Sequence, residues 1–142
     1  MDKLKAAAIV AIAAAAAAGI ALAQAPAPTK LAPVETPPGK VAAVIDLGSN
    51  FPEMKGYAFT QTVTTVPPGT GRAWHAHKGA PEIVHIISGT LTDQRNGGPA
   101  TQYGPGSTLI NDGPTNHMWA NLGTEPVVFV NTNVRVPAPP AK

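Results

Sequence analysis

The sequence predicts an all-β domain of the jelly-roll type, and three observations support this prediction. Between residues 41 and 135 the chain is a series of short β-forming segments separated by Gly, Pro and Asn. No segment after residue 25 has helical periodicity of useful length. The segments number eight or nine, which suits a jelly roll without a helical layer.

The predicted strands follow one another closely, joined by turn-forming residues. The clearest hairpin is centred on Asn96-Gly97-Gly98, because Asn-Gly pairs readily adopt the positive φ angles of a tight turn. The predicted strands, in order, are 41–47, 57–66, 72–77, 82–87, 90–95, 100–103, 107–110, 116–121 and 126–135.

Three of the four histidines, together with one glutamate, have the spacing of a metal site built on β-strands. His75 and His77 lie two residues apart, so a strand presents both on one face, roughly 6.5–7 Å apart along the chain. Two imidazoles so placed can bind one ion at about 2.0–2.2 Å. Glu82 follows after a turn. His117 lies on a strand distant in sequence, and a shared ion would link that strand to the strand of His75 and His77. Packing does not explain this concentration, because barrel cores are normally filled with aliphatic side chains.

At these positions the sequence resembles the cupin superfamily. The first cupin motif reads Gly69-TGRAW-His75-Ala-His77-KGAP-Glu82-IVHIIS-Gly89, with every fixed position filled. In the second motif Gly106, His117 and Asn121 keep their spacing, whereas Asp112 replaces the usual proline and Pro114 the usual glycine. The departure affects the turn before His117 rather than the ligand.

The resemblance implies a single conical jelly-roll barrel over residues 41–136, with one divalent transition metal. It implies that the metal ligands are His75, His77, Glu82 and His117. A mixed nitrogen and oxygen donor set suits Mn, Fe, Co, Ni, Cu or Zn and excludes a dedicated Ca or Mg site.

The resemblance leaves two classes of function open. The first is a mononuclear metalloenzyme in which Glu82 is also the catalytic group. It would be an oxygenase of a phenolic, flavonol-like or dicarbonyl compound, or an isomerase or lyase. The second is a non-catalytic periplasmic binder of a small molecule, a sugar or the metal itself.

Strand alternation predicts which side chains share the cavity with the metal. Trp119 and Asn121 fall on the face of His117, where Trp119 is either a stacking wall for a planar substrate or an ordinary barrel plug. In segment 57–66 the larger set, Tyr57, Phe59, Gln61 and Val63, is predicted to face inward. Segment 126–135 cannot be assigned a face.

Three further polar residues have candidate roles around the site. His85 falls on the face opposite Glu82 and is predicted to be a structural or interface residue rather than a ligand. Asp112 and Tyr103 are candidate hydrogen-bond partners of a ligand histidine or entrance groups, since a ligating imidazole usually donates its other N–H to a partner.

The chain divides into four predicted segments. Residues 1–23 are predicted to be a Sec-type signal peptide, cleaved after Ala23, because a basic start is followed by an apolar, small-residue run. The alternative is an uncleaved membrane anchor. Residues 24–40 read as a Pro/Ala-rich flexible linker, residues 41–136 as the cupin domain and residues 137–142 as a Pro-rich tail.

This organisation predicts a periplasmic or secreted protein with no membrane contact after cleavage. Without residues 1–23 the chain carries eight Lys and Arg against seven Asp and Glu, which predicts no nucleic-acid partner. Cysteine is absent, so neither disulfides nor thiolate ligands are available. The predicted partner is a small-molecule substrate or ligand, and the resemblance to small cupins implies a homodimer.

Overall fold

The computed structural model describes residues 34–136, which form an all-β fold of ten strands and two single-turn 3-10 helices. Each of the nine predicted strands is present, with its ends within two residues of the prediction. The strands are β1 (Val34–Glu35), β2 (Lys40–Asp46), β3 (Ala58–Val66), β4 (Thr70–Ala76), β5 (Glu82–Ser88), β6 (Leu91–Arg95), β7 (Ala100–Tyr103), β8 (Thr108–Asn111), β9 (Asn116–Ala120) and β10 (Val127–Arg135). The 3-10 helices are Leu47–Ser49 and Pro52–Met54.

The strands form two five-stranded sheets, as the predicted jelly roll requires. The first sheet has the order β1-β4-β9-β6-β7 and the second the order β2-β3-β10-β5-β8. The predicted hairpin joins β6 to β7, and its turn residues Asn96 and Gly97 have φ angles of 50° and 74°. The predicted all-β jelly-roll fold is therefore confirmed.

The inner faces of the two sheets form the apolar core. Gly89, which closes the first motif, lets the β5–β6 turn pass close to β10. It has a φ of 75°, and a Cβ there would lie 2.7 Å from the carbonyl oxygen of Pro126, so no other residue fits without strain. The buried cluster consists of Val66, Val84, Ile86, Leu91, Leu109, Trp119, Val127 and Phe129.

The predicted inward face of β3 is wrong. Tyr57 and Phe59 are 38% and 41% exposed on the outer surface, and Gln61 is exposed with them. The threonines turn inward instead, and the segment before β2 passes close to them. A Cβ on Gly39 would lie 2.3 Å from Thr64 Oγ1 and 2.7 Å from Thr62 Cγ2.

A short strap connects the two sheets at this open edge. Within the segment predicted as a linker, β1 pairs in parallel with β4 of the first sheet, and Thr36 N–H donates to the Gly71 carbonyl at 2.8 Å. Residues 37–39 then cross to β2 on the edge of the second sheet. Proline and glycine favoured the prediction of a flexible chain, but backbone pairing holds this part in place.

Both the predicted signal peptide and the predicted tail lie outside residues 34–136. Within that range, no helix is long and apolar enough to cross a membrane.

Candidate metal centre

The three predicted histidine ligands meet where β4 and β9 pair in the first sheet. His75 lies directly opposite His117 in the register of the two strands. His77 follows the end of β4, and its N–H still donates to the Thr115 carbonyl at 3.0 Å. Alternation along the chain therefore places the rings of His75 and His77 on one face, and the pairing of β4 with β9 brings the His117 ring to them.

Hydrogen bonds fix the proton of each imidazole on Nδ1. His75 Nδ1 lies 2.8 Å from the Ala73 carbonyl oxygen, His77 Nδ1 lies 3.1 Å from that of Ala80, and His117 Nδ1 lies 2.7 Å from Asp93 Oδ1. All three partners are oxygens that can only accept, so each Nδ1 is the donor. In a neutral ring this leaves Nε2 with a free lone pair, the form that binds a metal.

The three Nε2 atoms converge on one point. His117 Nε2 lies 2.9 Å from His77 Nε2 and 3.1 Å from His75 Nε2, and the three ligand atoms all lie within 4.8 Å of one another. Nitrogens that bind one ion at about 2.1 Å lie about 3.0 Å apart when the angle at the ion is 90°. Because neutral acceptors have no proton to share, a cation between them relieves their repulsion, and these residues fit a divalent transition metal.

Burial keeps the His75 ring neutral. Desolvation is the largest of the causes that together lower its pKa from 6.5 to about 4, and Arg72 and the neighbouring imidazoles of His117 and His77 act in the same direction. The hydrogen bond to Ala73 opposes this shift without cancelling it. His75 therefore presents its lone pair throughout the neutral pH range.

Glu82 lies beside this cluster but outside the three-histidine group. Its Oε1 is 3.6 Å from His77 Nε2. Asn111 donates to Oε1 at 2.9 Å and Asn131 donates to Oε2 at 3.1 Å. The carboxylate is thus oriented by two amides at the edge of the site, and its role as fourth ligand stays a prediction.

The partner of His117 is Asp93, which sequence reasoning missed. Asp93 is 1% exposed, and Arg95 Nε donates to its other carboxylate oxygen. Arg95 Nη2 also donates to Asn111 Oδ1 at 2.7 Å, so a continuous chain of hydrogen bonds links His117 to Glu82. An aspartate in the middle of a predicted strand was the available signal, because aspartate is depleted from strands.

The two candidate partners named from the sequence have other roles. Asp112 accepts a hydrogen bond from Thr115 Oγ1 within the turn before His117. Tyr103 packs against the apolar core.

A cavity of about 400 Å³ opens from the histidines between the sheets. His75, His117 and Glu82 form its polar end, and Trp119 and Phe129 meet edge to face with ring centroids 5.5 Å apart at its apolar wall. Trp119 therefore lines the cavity and packs in the core at once. A second space of about 370 Å³ adjoins it, since Arg72, His75, Glu82 and Arg135 line both.

The remaining pocket candidates lie elsewhere. Tyr57, Phe59 and Gln61 are on the outer face of the second sheet, and Thr62 and Thr64 take their place in the cavity. Asn121 is buried, but its Nδ2 donates to the carbonyls of Val66 and Glu125 and its Oδ1 accepts from Gly123 N–H, so it holds a turn. The prediction that it lines the pocket is wrong. His85 is exposed and pairs with Thr108.

Comparison with known proteins is consistent with this fold. The family model for the cupin domain matches residues 62–133, just over half of the chain. No protein of curated function matches the sequence.

Solved structures share the fold at low sequence identity. An uncharacterised Klebsiella pneumoniae protein with a double-stranded β-helix domain is 21% identical, with a TM-score of 0.57 over 78% of this chain and 85% of that one. The cupin domain of Schizosaccharomyces pombe Cnp3 is 19% identical, with a TM-score of 0.50 over 53% and 51%. A Thermotoga maritima protein described as a predicted oxalate decarboxylase is 24% identical, with a TM-score of 0.49 over 53% and 64%. The chain thus spans less than two thirds of the last two, and these likenesses concern the fold alone.

Proposed function

The chain belongs to the cupin family, and on that premise we propose that it is an exported, mononuclear metal-dependent enzyme acting on a small molecule. The substrate would occupy the cavity between the sheets and bind through two oxygens. Phenolic, flavonol-like and dicarbonyl compounds have this chelating geometry, which suits an oxygenase, or an isomerase or lyase.

One observation carries the proposal: three Nδ1-protonated imidazoles direct their Nε2 atoms to one point at the end of a cavity of about 400 Å³. A site that served only to stabilise the fold would be closed by protein ligands. Here the cluster faces a space large enough for a small substrate.

The residues around the histidine cluster would have different roles in such an enzyme. A bound Mn, Fe, Ni, Cu or Zn ion would supply Lewis-acid polarisation of the substrate or electron exchange with oxygen. Asp93 holds the His117 ring, and Trp119 and Phe129 offer an apolar wall. Glu82 is the acid–base group beside the Nε2 atoms, with its Oε1 3.6 Å from His77 Nε2. Two amide donors hold the Glu82 carboxylate, so it can accept a proton from substrate without leaving its position.

The test begins with the metal content of the purified protein, where we expect about one transition-metal ion per chain. Oxygen uptake and product formation are then measured against diphenols, flavonols and β-diketones. Turnover that requires the metal supports the enzyme. A full metal complement with ligand binding and no turnover supports the alternative, a non-catalytic periplasmic binder of a small molecule, a sugar or the metal.

Export is part of the proposal, since residues 1–23 have the features of a cleaved signal peptide. The mature protein should begin at or near Gln24 and be released by osmotic shock. Intact Met1 on membrane-bound material in mass spectrometry would instead indicate an anchor.

A homodimer formed through the outer face of the second sheet completes the proposal. The outward residues of β3, β5, β8 and β10 include no Lys, Arg, Asp or Glu, while Phe59, Ile83 and Ile110 are 41%, 53% and 64% exposed. Lys40, opposite Val63 on the edge strand β2, is a charged residue at the border of this otherwise apolar face. An apolar face of this kind is self-complementary under a two-fold axis. Light scattering should show that the wild-type protein is a dimer. Phe59→Lys should dissociate this dimer, whereas Thr101→Lys, on β7 of the other sheet, should leave it intact. A monomeric wild-type protein would contradict the proposed dimer.

A further inference from the structure

Two arginines from opposite sheets converge at the mouth of the histidine site. Arg72 on β4 and Arg135 at the end of β10 both line the two adjoining spaces, together with His75 and Glu82. Neither guanidinium forms an ion pair or side-chain hydrogen bond with any residue in the 34–136 range that the structure describes. Both are exposed, so their charges are available to a ligand entering from solvent.

A β-bulge explains how Arg72 reaches this position. Simple alternation puts residues 72 and 75 on opposite faces. The register, however, pairs Arg72 with Trp119 and His75 with His117, so three steps on β4 match two on β9. The extra residue turns Arg72 toward the histidine side, and such bulges often redirect side chains beside active sites.

Asn133 provides a second, independent sign of a ligand here. It lines the same space as both arginines, is 2% exposed, and neither its Nδ2 nor its Oδ1 has a hydrogen-bond partner. A buried amide without partners is costly, and in native proteins such groups are usually satisfied by a ligand or water. Its neighbours on the same face of β10 are Asn131 and Arg135, so the strand presents a row of polar groups to the site.

The charges at this mouth favour an anion once a dication is present. Arg72 and Arg135 line the same space as Glu35 and Glu82, so the formal charges of these four side chains sum to zero. Glu35 accepts a hydrogen bond from Ala73 N–H at 3.2 Å, and Glu82 accepts from two amides. A divalent ion on the histidines would therefore leave an excess of two positive charges.

We infer that the ligand of this site is a small 2-hydroxycarboxylate, with its carboxylate held by Arg72 and Arg135 and its oxygens hydrogen-bonded by Asn133. The inference rests on the proposed function, a small molecule that binds through two oxygens, and it replaces the phenolic, flavonol-like and dicarbonyl candidates with another class of this kind. Guanidinium groups recognise carboxylates through paired N–H donors. The amide of Asn133 offers both N–H donors and an acceptor oxygen, and a hydroxyl beside a carboxylate can pair with both kinds of group, whereas sulfate and simple carboxylates offer only acceptors.

Calorimetric titration of the metal-loaded protein with four probes tests this inference. L-lactate carries both groups, lactamide lacks the charge, propionate lacks the hydroxyl, and sulfate has charge without a donor. We expect lactate to bind at least about tenfold more tightly than each of the others, because losing the ionic contact with the arginines, or the partner of the buried Asn133 oxygen, costs about that factor.

Three variants test which residues cause the tighter binding of lactate. Arg72→Gln and Arg135→Gln should each weaken lactate binding by about tenfold without changing lactamide binding. Asn133→Leu removes the unpartnered amide at similar volume, so it should fold at least as stably while losing the preference for lactate over propionate. Lys55→Gln, at an exposed lysine distant in sequence from the site, is the matched control and should bind lactate like the wild type.

Elemental analysis of every preparation distinguishes a failure of the proposed function from a failure of the 2-hydroxycarboxylate inference alone. Protein that takes up no metal would overturn the proposed function and the inference together. Metal-loaded protein that binds lactate and lactamide equally, or whose arginine variants bind lactate normally, would overturn the inference alone. Sulfate binding as tight as lactate binding would reduce the site to a general oxyanion site and refute the 2-hydroxycarboxylate.

Discussion

The space between the sheets has an apolar end and a polar end, and the same strands contribute residues to both. Along the inner face of β10, Val127 and Phe129 are followed by Asn131, Asn133 and Arg135. On β5 the order is reversed along the antiparallel strand, from Glu82 at its start to Val84 and Ile86. Phe129 pairs with Ile86 at the apolar end and Asn133 pairs with Glu82 at the polar end, while Asn131 lies opposite Val84 where the two ends meet.

This separation suits two different roles, since the apolar end stabilises the fold and the polar end holds the proposed metal and ligand site. The apolar end is buried and interlocked around Trp119 and Phe129. The polar end holds the histidines, the arginines and an unpartnered amide, a combination that costs stability and is retained for binding. The two ends should accordingly respond differently to substitution.

The largest effect is expected at the histidines. His117→Ala and His75→Ala should each abolish most metal binding, because each removes one of three converging donors and breaks the coordination geometry. Elemental analysis after dialysis measures this directly. His85→Ala, on the outer face, should retain about one ion per chain, and the reverse pattern would invalidate the ligand assignment.

At the apolar end, Phe129→Ala should lower the free energy of unfolding by about 3–5 kcal/mol, because it leaves a cavity in a packed core. Denaturant unfolding of the apo-protein provides the measurement. Phe51→Ala is the matched control, since Phe51 is 49% exposed and its loss should cost below about 1 kcal/mol. Folded Phe129→Ala should still bind its metal; loss of the ion would show that the two ends are coupled.

The way each residue reaches the site explains which site residues could be predicted from the sequence and which could not. The histidines were found because alternation and motif spacing are local properties that strand pairing preserves. Arg72 was missed because a bulge turned it toward the site, and a bulge leaves no local signal. Asp93 was missed because a cross-strand contact brought it to His117, and its place in the middle of a predicted strand was the only sign of it. The inward face of β3 was misjudged because size and hydrophobicity favoured Tyr57 and Phe59, whereas the threonines face inward, where Gly39 lies close to Thr62 and Thr64.

Asp93→Asn should have an intermediate effect at the polar end. The amide can still accept from His117 Nδ1, but it lacks the charge that makes the imidazole a stronger ligand and that pairs with Arg95. Metal affinity should fall by about 10–100-fold, measured by competition with a chelating dye. Asp112→Asn serves as the control, because Asp112 bonds to Thr115 in a turn, and an equal loss there would argue for a general effect of surface charge.

Glu82→Gln should have the smallest effect on metal affinity and distinguishes a ligand from a catalytic group. The substitution keeps the size of the side chain. The new amide can still accept from Asn111, whose own oxygen is occupied by Arg95, and Asn131 can turn its amide to accept from the new N–H group. The local structure should therefore persist, and three imidazoles still hold the ion, so affinity should fall only severalfold.

Turnover is expected to respond far more than affinity if Glu82 accepts a proton from substrate, because an amide has almost no basicity. We expect a loss of about 100-fold or more in kcat, within the usual contribution of a positioned general base. The comparison must be made at matched metal occupancy, with Glu125→Gln, an exposed glutamate outside the cavity, as the control. Full turnover by Glu82→Gln at full occupancy would remove Glu82 from catalysis. The chemistry at the polar end would then belong to the metal and the residues that hold the substrate.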